Sequence, residues 1–459
     1  MIIRFFSKHP ILAILLHIGL GFMARFFPQG IAVYYVAFAG LAVLDILASR
    51  DRDQLAAFFG LYMTSFEILS RMSKVSLFWE FGKYSCIAIF GTGLLFTFKN
   101  RERPYLLWVY LLLLLPGVLI TTVYGGVSED RMLDLISQYL SGIITLFVAG
   151  WYFYQKKVTA EQLEKLIRVA LLPAITLVTL LFLGKSLSEI DFVGGSNYAA
   201  SGGFGPNQVS SILGWAIVLL FLGLLFGFSP FGNSIFDYLL LILLVFRGLL
   251  TFSRGGMIGA FGSIGLSMLA LFFISKSYRR LVRTQFGRLT MGVLFLLLVA
   301  FITNDLTDNF LLYRYQGVST SEVILGRSIS ESRYLTGRKE IMETELTAFA
   351  ENPILGIGLG RGTIFRIGDS ADERIASHTE FTRMLGEHGV PGLIALVCAF
   401  ILLPFFHFRR LKSNKNRQWM LTFYGLSMFT MMHSGMRLAL PCVAFGLAFI
   451  WFSENEELT

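Results

Sequence analysis

A train of apolar blocks, each long enough to cross a bilayer, constrains this chain more than any other feature. The blocks run for about 17–22 residues, and helices of that length cross a hydrocarbon core of ~30 Å. The chain is 55% hydrophobic and only 15% charged, whereas soluble domains carry about 25% charged residues. The expected fold class is therefore an all-α polytopic membrane protein. It is expected to have about 12–14 transmembrane helices and one large loop on the outer side that contains short helices. The segments fall at roughly 10–27, 30–48, 54–70, 77–98, 104–123, 133–154, 166–184, 207–228, 234–252, 255–275, 289–304, 389–408, 418–433 and 436–452. The first, near Ile11 to Phe27, lacks a small-residue cleavage site and reads as a span rather than a signal peptide.

Basic residues orient the bundle. With the N-terminus inside, the inner loops carry Arg50 and Arg52; Lys99, Arg101 and Arg103; Lys156, Lys157, Lys165 and Arg168; Lys276, Arg279, Arg280, Arg283 and Arg288; and Arg409, Arg410, Lys412, Lys415 and Arg417. Short outer loops carry few, which is the positive-inside pattern, and both termini are expected in the cytoplasm. The net charge of +9 belongs to these loops and does not imply nucleic acid. Cys86, Cys398 and Cys442 all lie within predicted spans, with neither a disulfide framework nor metal-ligand spacing.

One polar interruption breaks the train. The expected organisation is a transmembrane bundle at 1–304, with outer turns at 184–206 and 251–256, then a large outer loop at 305–387. C-terminal helices and a cytoplasmic tail follow at 388–459. The loop holds nine basic and thirteen acidic residues, so an anion site there must be a local cluster rather than a net field. Arg338 to Ala350 reads as an amphipathic helix with Ile341, Met342, Leu346 and Phe349 on one face, stopped by Asn352-Pro353. Gly356, Gly358 and Gly360 predict a tight turn after it, since no βαβ unit surrounds them. Ser377-His378-Thr379-Glu380 fits a capping box that opens a second helix, with a break at Gly389 and Pro391.

Four places could carry chemistry. Arg254 sits between Ser253 and two glycines at the outer end of a span, either as a snorkelling interfacial arginine or as a planar fork for phosphate. Arg247 lies deeper in the preceding span, where an ionisable group is a functional candidate or a partner for another polar group. Arg338 is either a solvated charge or an anion ligand at the start of the loop helix. His378, as the first helical residue after its cap, would feel the positive end of the helix dipole. It would stay neutral there, either as a general base or as a mere capping residue. His388 and His433 are weaker candidates, and Glu387 either orients a partner or ends the helix. Asp51-Arg52-Asp53 resembles a metal-carboxylate pair but falls on the cytoplasmic side.

These elements together resemble the O-antigen ligase and O-antigen polymerase superfamily of bacterial envelope glycan transferases. The resemblance rests on Thr251-Phe252-Ser253-Arg254-Gly255-Gly256, Gly337-Arg338 and Asn352-Pro353-Ile354-Leu355-Gly356-Ile357-Gly358-Leu359-Gly360. It continues with His378 and Glu387-His388-Gly389, and with Gly205-Pro206-Asn207-Gln208 upstream. It spans roughly residues 200–395. One departure is Thr379, where the family often has Asn after the histidine.

The resemblance implies a metal-independent, inverting glycosyltransferase of the C-type class, without a cofactor, at the periplasmic face of the bacterial inner membrane. Its donor would be an undecaprenyl diphosphate-linked glycan and its acceptor the lipid A core. The resemblance makes His378, Arg338 and Arg254 the catalytic set, with Asn207, Gln208, Arg247 and Glu387 as further substrate-binding positions. The alternative within the superfamily is a polymerase of O-antigen or exopolysaccharide repeats. A transporter of polysaccharide or solute is the alternative from another class. It would show repeated halves and midplane charges, whereas the polar candidates here gather on one face.

Overall fold

The computed structural model describes residues 2–74, 78–97, 102–123, 128–192, 195–284, 286–317, 338–367, 377 and 379–452. The N-terminal helices are α1 (Ile2–Lys8), α2 (Pro10–Phe26), α3 (Pro28–Ser49), α4 (Leu55–Met72), α5 (Phe81–Thr97), α6 (Tyr105–Val123), α7 (Glu129–Phe153) and α8 (Ala160–Phe182). Then come α9 (Pro206–Leu225), α10 (Ser234–Leu250), α11 (Arg254–Ile274), α12 (Lys276–Thr284), α13 (Phe286–Asp305) and α14 (Phe310–Gln316). The C-terminal part holds α15 (Arg338–Glu351), α16 (Gly362–Ile367), α17 (Glu380–Val397), α18 (Leu403–Arg410), α19 (Asn414–His433) and α20 (Leu440–Leu447). A π turn at Cys398–Leu402 joins α17 to α18, so helical structure continues from Glu380 to Arg410.

Each apolar segment read from the sequence falls on a helix. Among the described residues, seven helices are long and apolar enough to cross a membrane, or eight if Thr290–Asp305 and Phe310–Gln316, bent by 110°, form one broken span. The other expected segments fall on helices that are shorter or more polar. Helices α2, α5 and α10 have 17 residues each. Helices α4 and α19 are long enough, but α4 carries Glu67 and Arg71 and α19 opens on a polar turn. The last segment shortens to α20 because residues 434–439 form a turn.

Helix α4 is the axis of the bundle: every residue from Leu55 to Arg71 is buried. Helices α8 and α9 lie beside it, with 72% and 78% of their apolar windows covered. A second core forms where α6 and α7 meet α17, the π turn and α20, around Tyr110, Ile143, Phe400 and Phe445. At the end opposite Arg254, β1 (Lys157–Val158) pairs in parallel with β2 (Trp451–Phe452). Asp51 is a cap there rather than half of a metal pair. Its Oδ1 accepts from the Ala56 N–H at 2.8 Å and its Oδ2 from the Tyr152 hydroxyl at 2.9 Å.

The polar interruption is built against this bundle. Helix α15 starts at Arg338 as expected, but its buried face is Ile341, Glu345 and Ala348, while Leu346 is 43% exposed. The predicted apolar stripe is corrected because Glu345 has partners: Arg366 donates to its Oε1 at 3.2 Å and Thr382 to its Oε2 at 2.6 Å. The glycine run is a tight turn, with Gly356, Gly358 and Gly360 at φ of 72°, 97° and 76°, a region most side chains avoid. It threads between two helices. Ile357 and Gly358 N–H donate to the Gly386 and Glu387 carbonyls, both at 3.0 Å, and Leu359 N–H donates to the Gly117 carbonyl at 2.9 Å.

Helix α17 begins at Glu380 rather than at His378, with Thr379 as the flanking residue. Ser377 is not the cap of that helix: its hydroxyl donates to the Thr379 carbonyl at 2.9 Å instead. The expected break is present, since Gly389 leaves the helical region at φ 62°, ψ −142°. A Cβ on Gly389 would stand 2.5 Å from the Pro353 carbonyl oxygen. Gly389→Ala is therefore expected to cost about 1–3 kcal/mol. Thermal unfolding in detergent checks this, and an unchanged midpoint would contradict the threading of the glycine run past the kink.

Candidate functional site

The site end of the bundle starts from the paired helix openings of α9 and α11. Pro206 occupies the first turn of α9, where its missing N–H costs nothing. Ser253 precedes α11, and its hydroxyl donates to Asn207 Oδ1 at 2.8 Å while accepting from Ser210 Oγ at 2.8 Å. The two glycines after Arg254 let neighbours approach. A Cβ on Gly256 would lie 2.4 Å from Ser210 carbonyl carbon, and one on Gly255 would lie 2.3 Å from the His433 ring. His433, at the end of α19, sits 2.8 Å from the Phe429 carbonyl through Nδ1 and 3.2 Å from Ser211 Oγ through Nε2. The carbonyl can only accept, so Nδ1 carries the proton. Two helix N-termini side by side present the positive ends of their dipoles, an arrangement that favours an anion.

The turn at 434–439 leaves α19 beside that junction. It is held from below by charges on α4 and α5. Arg71 donates to the Arg437 carbonyl at 2.8 Å, to Glu67 Oε1 at 2.7 Å and to Gln208 Oε1 at 3.3 Å. Glu67 Oε2 accepts from the Ala439 N–H at 2.8 Å. Lys83 donates to the Met436 carbonyl at 3.2 Å and pairs with Glu80 at 2.6 Å. Arg71, Glu67 and Lys83 are each 2% exposed or less. Buried charges persist when opposite partners and hydrogen bonds compensate their lost hydration, and this set supplies both.

The same turn reaches the start of α17. Arg437 donates to the Ser377 carbonyl at 3.0 Å, and Glu380 Oε2 accepts from the Met436 N–H at 3.1 Å. Along α17, Arg383 pairs with both Glu380 and Glu387 and lies over the Tyr139 ring. The end of α19 thus touches the Ser-Arg-Gly-Gly junction through His433, and the turn that follows touches the residues on either side of His378 through Arg437 and Met436.

The predicted site residues fall into three groups. Arg254, Asn207 and Gln208 gather at the α9–α11 opening, with Asn207 bound by Ser253 and Gln208 by Arg71. Arg247 and Glu387 are committed elsewhere. The Arg247 guanidinium donates to the Leu181 carbonyl at the end of α8 and lies 4.7 Å over the Phe182 ring. Glu387 lies within α17, and the partner it meets there is Arg383. His378 and the Arg338 side chain lie outside the described residues. His388 wedges against Gly117, where a Cβ would lie 2.3 Å from its Nδ1.

A family model described as O-antigen ligase matches residues 239–397. That match supports membership of the O-antigen ligase superfamily. A search of curated proteins finds no match. The apolar helices make the chain an all-α multi-pass membrane protein, and over the matched residues, less than half of its length, it is similar to the O-antigen ligase family. The matched region includes Arg247, Arg254, Arg338, His378 and Glu387. It excludes Asn207, Gln208, His433, Arg437 and the charges of α4 and α5.

Those last charges escaped the sequence reading. A signal existed: Glu67 and Arg71 stand four residues apart inside an apolar segment, and an ionisable residue in a span marks function or pairing. Arg71→Ala leaves Glu67 buried with one partner fewer and is expected to cost about 3–5 kcal/mol. The double change Arg71→Met with Glu67→Met should cost much less. Thermal unfolding in detergent compares them, and equal losses would show that pairing is not what holds Glu67 in place.

Proposed function

We propose that this protein transfers a glycan from undecaprenyl diphosphate to an acceptor, the lipid A core, at the periplasmic face of the inner membrane. What supports the reading is one juxtaposition. His433, at the end of α19, packs against Gly255 and Ser211 at the Arg254 junction, and the turn that follows it holds the chain on either side of His378, two parts of the resemblance separated by more than a hundred residues of sequence.

In this reading Arg254, at the paired helix openings, and Arg338 bind the donor diphosphate through charge-assisted hydrogen bonds. His378 takes the proton from an acceptor hydroxyl as that oxygen attacks the anomeric carbon. The bond from that carbon to the diphosphate oxygen breaks, and the electron pair leaves with the lipid diphosphate. The arginines stabilise the negative charge that develops there, so no metal is needed. One direct displacement inverts the anomeric carbon.

The deciding experiment is reconstitution of the purified protein with a lipid diphosphate-linked glycan and candidate acceptors. Glycan joined to lipid A core supports the ligase reading. Lengthening of the lipid-linked glycan instead makes the protein a polymerase, and no new glycosidic bond with any acceptor would overturn transfer altogether. His378→Ala is expected to abolish turnover with normal insertion in the membrane; wild-type turnover would remove the base from this scheme. Arg338→Lys should lose at least about ten-fold in turnover, because an ammonium lacks the planar fork. Full activity in that variant would make Arg338 a surface charge.

A further inference from the structure

Three helices separated in sequence, α4, α5 and α17, converge on the turn at 434–439. Its backbone is gripped on one side by α4 and α5: the Arg437 carbonyl by Arg71, the Met436 carbonyl by Lys83 and the Ala439 N–H by Glu67. On its other side it grips the chain entering α17, through the Arg437 guanidinium on the Ser377 carbonyl and the Met436 N–H on Glu380. The grip falls on the residue before His378 and on the residue two after it. The helix begins only at Glu380, with Thr379 just outside it.

We propose that this turn is a clamp that sets the position of the His378 segment, and that Arg437 is its positioning residue, anchored by Arg71. The inference rests on the reading of His378 as the base. Neither arginine lies within the region matched by the O-antigen ligase family model. The N-terminal helices, which resemble the family only in hydropathy, thereby act on the chemistry by holding a C-terminal turn. Arg71 also fixes Gln208 at 3.3 Å, so one guanidinium ties the clamp to the opening of α9.

A positioning residue makes a different kinetic mark from a substrate ligand. Misplacing a base by about 1 Å can cost on the order of 100-fold in turnover without weakening donor binding. The test uses the full-length protein in nanodiscs with the lipid diphosphate-linked donor. Arg437→Ala is expected to lower kcat by about 10- to 100-fold with donor KM within about two-fold. Arg437→Lys should recover part of the loss, since an ammonium can still donate to the Ser377 carbonyl.

A second readout does not depend on turnover. Cys86, Cys398 and Cys442 are buried, so Thr379→Cys supplies the reactive thiol for a membrane-impermeant maleimide. Labelling should be several-fold faster when Arg437→Ala is added, and unchanged when Lys339→Ala, at an exposed position of α15, is added instead. Unchanged labelling and turnover in Arg437→Ala would overturn the clamp. A rise in donor KM without faster labelling would overturn it too, by making Arg437 a ligand of the substrate. If His378→Ala keeps wild-type turnover while Arg437→Ala still speeds labelling, it is the assignment of the base that fails, and the positioning role with it, whereas the mechanical grip on Ser377 stands.

Discussion

A guanidinium taken out of water inside a helical bundle must be matched on several sides, and Arg71 is matched on three. It meets a carboxylate on its own helix, a side-chain amide at the opening of α9 and a backbone carbonyl in the turn after α19. Those partners come from three separate stretches of the chain. Satisfying one buried charge therefore fixes the relative placement of α4, α9 and the C-terminal turn. Glu67, Glu80 and Lys83 complete the compensation. The site end of the molecule is organised around this polar set, while the apolar packing of α4, α8 and α9 below it supplies the frame.

The helices were legible because their signal is length and apolarity, and both are local. Gly356-Ile357-Gly358-Leu359-Gly360 was legible as a turn for the same reason: alternate glycines permit a backbone that other residues resist. What could not be read were choices made by distant partners. Ser377 and Glu380 carry the spacing of a capping box, yet Glu380 is drawn to Arg383 and to the Met436 N–H, and the helix starts later than the pattern suggests. In α15 the period pointed to Leu346 as buried, but Glu345 turns inward because Arg366 and Thr382 wait there. The partner of Arg247 is likewise distant in sequence. Its guanidinium closes the end of α8 by bonding the Leu181 carbonyl.

Of the candidate site, Arg254, Asn207 and Gln208 were legible as candidates because each lies at a helix start next to a glycine-rich turn, and the structure brings those two helix starts side by side. The sequence did not reveal the turn at 434–439, which reads as the beginning of a span and contains one arginine among apolar residues. That turn connects what lies inside the matched family region to what lies outside it. Glycosyl transfer of this type needs a cationic place for a diphosphate and a base facing it. The helix openings at Arg254 offer the first, and the grip on Ser377 and Glu380 bears on the second.

The most direct measurement is a cryo-electron microscopy structure in a nanodisc with a lipid diphosphate-linked donor bound. The account predicts diphosphate density at the paired openings of α9 and α11, in contact with Arg254, with the His378 imidazole facing the anomeric carbon. Density for the diphosphate at the opposite end of the bundle, or a His378 ring turned away from the bound sugar, would contradict it.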